Sequence, residues 1–503
     1  GAVGGAVYFR SDLVGDLPQP PTLTLRDCMF EDNIAIAGGG GVMVADTGRP
    51  GVVERSRFSG NLSLIGMPES TRQRRRGKPE DLLSAASVRQ PSGLIGLLPG
   101  GGGFSNGDLD HEIAVIDSSF NDNAGYLGGA IRSSVADGGG LRIERSTMSD
   151  NVAAIGGGIG SFYLAETSQM HVFNSTISGN AAQLGSGFGA VFIYPGSNER
   201  KLIFDHVTIV DNRTYQQPGT VFLYDARLDV ATPIVLFDNT VIGSNLHVPG
   251  GARGLEPATL DLNLGIDVAI EARFSAFESF GTADLIDVGT NNQFGSVGKF
   301  SPLVRNDGPT AVHLPLAGSP LINAADPGSS RFSVDQRGLS RLANGRSDIG
   351  AVEADAVNGT PDLDSDPIAD STIRLRALEG ERAEQSVRVS NYGGAALQFE
   401  VPALASPFSA DAVGPYVLLP GESLQFTLAC APISNGLVTT DWVFTNNDLD
   451  ENPASFALEC GAVGSALPIP LLSDRPWQVL AAVLLALAGL RFGAFRRATE
   501  RPD

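Results

Sequence analysis

Cysteine is nearly absent from this sequence: three in 503 residues, too few for a disulfide-dense scaffold or a cysteine-rich zinc module. Histidine is almost as scarce. His111, His171, His206, His247 and His313 offer few metal ligands. Lysine and arginine number 35 against 56 aspartates and glutamates, a net charge of −21. Such a surface repels phosphate backbones and anionic headgroups, so nucleic acid is excluded as a partner, and the acidity reads first as a solubility device. The first half holds no ten-residue amphipathic helical stretch, which excludes an α-solenoid or a leucine-rich horseshoe. There is no P-loop, HExxH or CxxC. Hydrolysis of a glycosidic bond needs paired carboxylates at a fixed separation, and no adjacent-repeat pair of aspartates beside a Gly-His-Gly appears. No catalytic residue is assigned on this reading, and no cofactor.

What is abundant is glycine, 62 residues, and it recurs in step with asparagine. Seven segments share a small polar residue, an apolar residue two positions on, then two residues and an asparagine. They end at Asn33, Asn61, Asn123, Asn151, Asn180, Asn212 and Asn245. The rhythm is even and breaks once, at a doubled gap between Asn61 and Asn123. Glycines follow at Gly38 to Gly41, Gly128-Gly129 and Gly156 to Gly158, and late, at Gly100 to Gly103, after Asn61. One repeat therefore carries an insertion over 66–99. Short alternating runs such as Ile113-Ala114-Val115-Ile116 and Lys201-Leu202-Ile203-Phe204 indicate strands. About 30 residues suit one coil of three short strands, stacked at about 4.8 Å, with neighbouring coils supplying the core that no coil has alone. The spacing predicts a parallel β-helix over 1–255. Its asparagines would stack as an amide ladder and tolerate the left-handed backbone of sharp turns. Asp32, Asp122, Asp150 and Asp211 precede ladder asparagines. A row of such carboxylates is a conceivable Ca²⁺ site, but Gly60, Gly179 and Ser244 break it, and turn chemistry is the simpler reading. The opening residues, Gly1 to Phe9, look like the middle of a repeat, so the chain is expected to be a fragment or processed product.

Phe30-Glu31-Asp32-Asn33, Phe58-Ser59-Gly60-Asn61 and Phe120-Asn121-Asp122-Asn123, with Gly4-Gly5-Ala6-Val7 and Gly128-Gly129-Ala130-Ile131, resemble the paired repeats of chlamydial polymorphic outer-membrane proteins and related right-handed β-helices. That resemblance implies surface display and, for many members, adhesion. Over 295–353, Ser301-Pro302-Leu303, Asn306 to Thr310, Gly318 to Asn323, Asp335-Gln336-Arg337-Gly338 and Asp348 to Glu353 resemble the end of the choice-of-anchor Q domain of bacterial surface proteins. Residues 256–353 are thus expected to finish and cap the helix. Asp335, Arg337, Asp348 and Glu353 would form a network closing its open end, where unpaired strand edges need cover.

Residues 354–368, rich in aspartate with Gly359, Pro361 and Pro367, read as a linker. Alternating runs beyond it predict a β-sandwich over 369–463. Asn391-Tyr392-Gly393-Gly394, Leu419 to Ser423 and Thr445 to Asp448 resemble the choice-of-anchor D immunoglobulin-like domain, which commonly serves as a spacer. Cys430 and Cys460 end two runs. If those strands lie adjacent, the pair would form a disulfide in an oxidising compartment, and otherwise two buried thiols. Over 464–503, Trp477 precedes a largely apolar run to Phe495, with Arg491, Arg496, Arg497 and Arg501 around its end. This suits a transmembrane helix with its arginines on the cytoplasmic side, the alternative being a buried terminal helix. Ile469-Pro470-Leu471-Leu472-Ser473 resembles the IPTL-type sorting signal of Gram-negative bacteria, although Leu471 replaces the family's threonine. The insertion carries Arg72, Arg74, Arg75, Arg76 and Lys78 in an acidic protein. It is either a solvated loop or a contact for an anionic polysaccharide or protein ligand. Taken together, an all-β, membrane-tethered envelope protein is expected, adhesin-like or structural. The alternative is a carbohydrate-active enzyme, lyase or glycoside hydrolase, on the same fold.

Overall fold

A computed structural model describes residues 5–462 apart from internal breaks, chiefly 11–21, 64–99, 194–200, 225–234, 249–255, 258–261, 266–269, 280–286 and 355–359. Every element in the described residues is a strand. No helix among them is long and apolar enough to cross a membrane. The tail over 464–503 and the basic insertion lie outside the described residues.

One coil illustrates the plan. Ile131–Val135 forms the first face, Gly140–Glu144 and Thr147–Ser149 form a kinked second face, and Val152–Ile155 forms the third. The next coil begins at Ile159–Leu164, which pairs in parallel with Ile131–Val135. Repetition builds an eight-stranded sheet on the first face and a branched sixteen-stranded sheet on the second. The stack does not stop where the repeat fades. Leu262–Gly265, Ile270–Arg273, Ala276–Phe277 and Gln293–Phe294 continue it in parallel register.

Register places like on like. Phe58, Phe120, Met148, Ile177 and Ile209 sit one above another along the second face, all at 0 % exposure. The Phe30–Phe58 and Phe58–Phe120 rings stack at 4.8 and 4.5 Å, the spacing of the backbone ladder itself. Each coil has two sharp corners on this face, and a left-handed residue makes each of them. The first is Asp27, Arg55, Asp117, Arg145, Asn174, His206 or Asn239, and the second is Asp32, Gly60, Asp122, Asp150, Gly179, Asp211 or Ser244. The ladder asparagines are not left-handed. The residue before each of them takes that conformation, with φ of 52° at Asp32, 64° at Gly60 and 54° at Ser244. Gly lacks the Cβ that disfavours this conformation and Asp tolerates it; Ser244 adopts it too.

Residues 297–353 do not plug the end of the stack. They lie along its second face as a strap, touching coils from Arg145 through Asn174 and Thr208 to Asn239 and Phe274. The expected end cap is therefore a lateral brace.

Beyond it, a four-stranded and a five-stranded sheet enclose one core around Trp442, Phe444, Phe456 and Phe399. The linker expected over 354–368 is shorter than that, because Leu363–Asp366 is an edge strand of the first sheet, antiparallel to Ala383–Asn391. Cys430 and Cys460 form a disulfide with Cα atoms 5.8 Å apart. Their strands are not neighbours in one sheet. Cys430 ends a strand of the four-stranded sheet and Cys460 lies in the five-stranded one, so the bond ties the two layers together. Tyr392 of this unit packs with Val304, Val312, Leu314 and Val352 of the strap, seating the sandwich against the braced solenoid.

Candidate functional site

The asparagines form a ladder with a direction. The main-chain N–H and side-chain amide of each donate to Oδ1 of the asparagine one coil on: Asn61 to Asn123 at 3.0 and 2.9 Å, Asn123 to Asn151 at 3.0 and 2.9 Å, Asn151 to Asn180 at 3.0 and 2.9 Å. The series starts at Asn33 and runs through Asn212 to Asn245. The same amide also donates back to the previous coil, as Asn151 does to the Phe120 carbonyl at 2.9 Å. From Asn61 to Asn245 these residues are at most 3 % exposed, and their amides are committed to the stack. A second ladder is written in the sequence only as the small polar residue of each repeat. Main-chain N–H groups of Cys28, Ser56, Ser118 and Ser146 donate to the hydroxyls of Ser56, Ser118, Ser146 and Ser175 at 3.1–3.2 Å. Val207 interrupts it, and Thr240 and Ser275 resume it. Cys28 is a free thiol at the head of this row.

The first-corner residues carry charge where they are not covered. Arg55 grips Asp27 through two nitrogens at 2.7 and 3.0 Å, and Arg145 grips Asp117 likewise at 2.8 and 3.1 Å. Arg55 and Arg145 also contact Glu54 and Glu144. Opposite signs on successive coils favour the observed register, although solvent screening leaves exposed pairs little weight in stability.

Outward on the second face, register defines two rows. One reads Met29, Arg57, Ser119, Thr147, Thr176, Thr208, Val241 and Ala276. The other begins Glu31, Ser59, Asn121, Ser149 and Ser178. The strap covers the later part of both. Thr147 donates its hydroxyl to the Ala311 carbonyl. Gln336 donates to Thr147 at 2.8 Å and to Thr310 at 2.9 Å, and accepts from Thr176 at 2.7 Å. Thr208 accepts the Ala351 N–H at 2.9 Å. Farther on the contact turns apolar: Val241 and Ala276 pack with Val297, Leu321, Ala325 and Ile349. The threonine stripe is present in the sequence, one residue before the core apolar position of each repeat. Nothing there says that a distant segment, such as Gln336 over Thr176, will cover it.

The four strap residues singled out from sequence belong to two linked knots. The Asp335 carboxylate accepts the N–H groups of Arg337, Leu339 and Glu353 at 2.8–3.1 Å and holds the Arg337 guanidinium at 2.9–3.0 Å. Asp348 accepts from Asn323 and Ala354, and Glu353 Oε2 accepts the Asp348 N–H at 3.0 Å. Glu353 Oε1 is buried and has no hydrogen-bond partner among the described residues. Burial, reinforced by the Asp348 charge, pushes its carboxyl up to about 8, so it is largely protonated at neutral pH. Arg341, which sequence reasoning overlooked, is the link to the coils. Its guanidinium donates to Asn174 Oδ1 at 2.7–3.1 Å and to the Gly350 and Ala351 carbonyls at 3.0 and 2.8 Å.

Two histidines lie beneath the strap. His206 meets Asp205 at 2.8 Å. Burial, with Arg341 adding to it, lowers its pKa to about 4, so the contact at neutral pH is a hydrogen bond rather than an ion pair. His313 lies 2.6 Å from the Ser178 hydroxyl and 2.7 Å from the Ser301 carbonyl. The carbonyl accepts only, so Nδ1 carries the proton and Ser178 donates to Nε2. This resembles a nucleophile–base pair, yet Ser178 and His313 are 3 % and 2 % exposed and serve to pin the strap. A further catalytic lookalike, Gly103-Phe104-Ser105-Asn106-Gly107, matches the GxSxG pattern. That motif works on a strand-to-helix turn, whereas Ser105 is wholly buried in the middle of the strand Phe104–Asn106. Among the described residues no three His, Cys, Asp or Glu side chains are grouped to hold a metal ion.

No protein-family model matches the chain, and none of the curated proteins does. Similar solved structures include the ASH/PapD-like domain of human CEP192 (13 % identity, TM-score 0.18, 21 % of this chain and 87 % of that one). Others are a protein of unknown function from Porphyromonas gingivalis (17 %, TM-score 0.17, 20 % and 46 %) and the Vibrio cholerae VesB protease (14 %, TM-score 0.16, 21 % and 33 %).

Proposed function

We propose that this chain is a non-enzymatic β-helix protein of the Gram-negative cell envelope, adhesin-like or structural, which displays a long rigid face and is held by its C-terminal segment. The observation that carries this reading is how the polar interior is used: asparagine, serine and glutamine side chains that would otherwise be site candidates are committed to ladders and to the strap. The repeat resemblance adds a right-handed, surface-displayed helix, and the resemblance to choice-of-anchor Q and D domains adds an envelope address and an immunoglobulin-like spacer. The IPTL-like segment with its apolar run would be the membrane tether.

Expression in a Gram-negative host, with and without residues 464–503, followed by protease treatment of intact cells, tests display. The full chain should fractionate with the envelope and be cleaved from outside, and the truncated chain should be released. Equal membrane association of both would remove the tether. A glycan-degradation screen run beside a binding array tests the chemistry: binding without turnover is expected, and release of saccharide products would replace this reading with a carbohydrate-active enzyme.

A further inference from the structure

Each sheet of the sandwich ends in two outer strands, and among the described residues three of these four edges are guarded. Thr372–Ala377, on one side of the five-stranded sheet, turns Thr372, Arg374 and Arg376 outward. In the four-stranded sheet, Leu363–Asp366 carries Asp364 and Asp366, and Phe408–Ala410 is a short three-residue strand. Charge and brevity of this kind keep an open edge from pairing with another chain. The fourth edge, Gly414–Leu418, carries no charge. Tyr416 and Leu418 pack with the core, and the alternate residues Pro415, Val417 and Leu419 are exposed. Val417 and Leu419 are 59 % and 56 % exposed, an apolar outward row beside an open strand.

The same row is short of hydrogen-bond donors in a definite pattern. Pro415 has no N–H. A proline in a sheet keeps that side toward the open edge, and the two-residue period of a strand puts the N–H and C=O of Val417 on the same side. The Leu419 N–H is already given to the Glu422 carboxylate at 2.8 Å. Val417 therefore holds the free donor of the row, with a position that offers none on either side of it.

We infer that Gly414–Leu418 pairs antiparallel with the same strand of a second copy of this chain, about a two-fold axis at Val417. In that register the two Val417 residues exchange N–H···O=C bonds, and Pro415 of each copy lies opposite Leu419 of the other. The two donorless positions thus face each other and no N–H is stranded, while every outward contact is apolar on apolar. A strand of unrelated sequence would have to reproduce both gaps; a second copy carries them already. Charge points to the same place: molecules of net charge −21 repel over most of their surfaces, and this row is neutral. Three side chains from each copy bury far less than the roughly 800 Å² per partner of a stable dimer. The pairing is therefore weak and reversible, suited to copies that share a surface and so meet at high effective concentration. That use rests on the display proposed above; the pairing itself does not.

The test is cysteine cross-linking of the full chain, with Cys28→Ser as the background so that the native free thiol is removed. Facing Val417 residues would have Cα atoms about 5.5 Å apart, within reach of a disulfide. Val417→Cys should oxidise to a covalent dimer at least tenfold faster than Val443→Cys, a position 40 % exposed on the same sheet but away from its edge. Pro415→Cys mixed with Leu419→Cys should cross-link at least tenfold faster than either protein does alone. All four positions are exposed, so each variant should melt with the background protein. A Val417→Cys rate no greater than that of Val443→Cys overturns the inference, and so does self-linking of Pro415→Cys or Leu419→Cys as fast as the mixture. So does a Val417→Cys thiol that resists maleimide in dilute protein, since another part of the same chain would then hold the edge. Failure here leaves the display experiment untouched, and a chain that fails to be displayed can still be cross-linked in solution.

Discussion

Replacing Asn151 by alanine probes the ladder where it is deepest. Four hydrogen bonds disappear: from Asn151 Nδ2 to the Phe120 carbonyl and to Asn180 Oδ1, and from the main-chain N–H and the amide of Asn123 to Asn151 Oδ1, all at 2.9–3.0 Å. The Asn123 amide keeps its bond to the Phe58 carbonyl, and Asn180 Oδ1 keeps the Asn151 N–H. The Asn123 N–H keeps nothing, in a site at 0 % exposure. Each of the other three lost bonds costs about 1 kcal/mol and the stranded buried donor about 1–3 kcal/mol, so the sum is about 4–6 kcal/mol. Asn33, at the head of the series, supplies the control. Among the described residues its alanine variant loses only the 2.9 Å bond from its amide to Asn61, because the main-chain donor remains, and should cost about 1 kcal/mol or less. Amide hydrogen exchange reads the effect locally: protection at Asn123 should fall about a hundredfold or more in N151A, with a matching loss in urea unfolding. Equal costs for N151A and N33A, or unchanged protection at Asn123, would refute the reasoning.

Three further expectations concern the strap and the sandwich. Gln336→Ala removes the three shortest side-chain bonds beneath the strap and two longer ones to the Ser146 and Ala311 carbonyls and should destabilise it by about 2–4 kcal/mol, seen as faster proteolytic nicking within 297–353 while the coils stay intact. Stability should bend at both ends of the pH range. Glu353, raised in the folded state to about 8 from an ordinary value of 4.5, contributes stability that is present below 4.5 and lost as pH rises through 8. His206, lowered to about 4 from 6.5, contributes stability that is present above 6.5 and lost as pH falls through 4. Melting curves from pH 4 to 9 should show both limbs, and Glu353→Gln should flatten only the alkaline one. Alkylation of unfolded, unreduced protein should modify one thiol, Cys28, and three after reduction. Closing a loop with a sequence separation of 30 is worth about 3–4 kcal/mol to the sandwich on the chain-entropy model, measurable by denaturation with and without reductant.

The coils were legible because their chemistry repeats. Asparagine returning once per coil, with one doubled gap between Asn61 and Asn123, and apolar residues at period two write the stack into the chain directly. What the repeat concealed was which residue takes the strain: the left-handed position belongs to the residue before each asparagine, since a backbone conformation that Asp, Gly and Ser all satisfy leaves no single letter to read. The later coils, ending at Phe294, were faint because their strands are short and their outward residues, Val241 and Ala276, answer to the strap rather than to solvent. The strap's place was beyond reach for a different reason. Thr147 meets Ala311 across 164 residues, and Asp335, Arg337 and Glu353 look the same in sequence whether they close an end or line a flank. For the disulfide, position in sequence suggested proximity but not that the bond would cross between layers.

The brace also bears on how such a chain can change its length. Coils under the strap are each gripped at a different point, at Thr147, Asn174, Thr208 and Asn239, so adding or deleting one would throw every later grip out of step. Among the described residues the coils of Asn33, Asn61 and Asn123 meet only their neighbours in this respect, and in sequence the long interruption of the repeat, 64–99, falls among them. Copy number and insertion length are therefore free to drift at the front of the stack and frozen behind it, which makes the leading coils the part of the molecule where variation is cheapest.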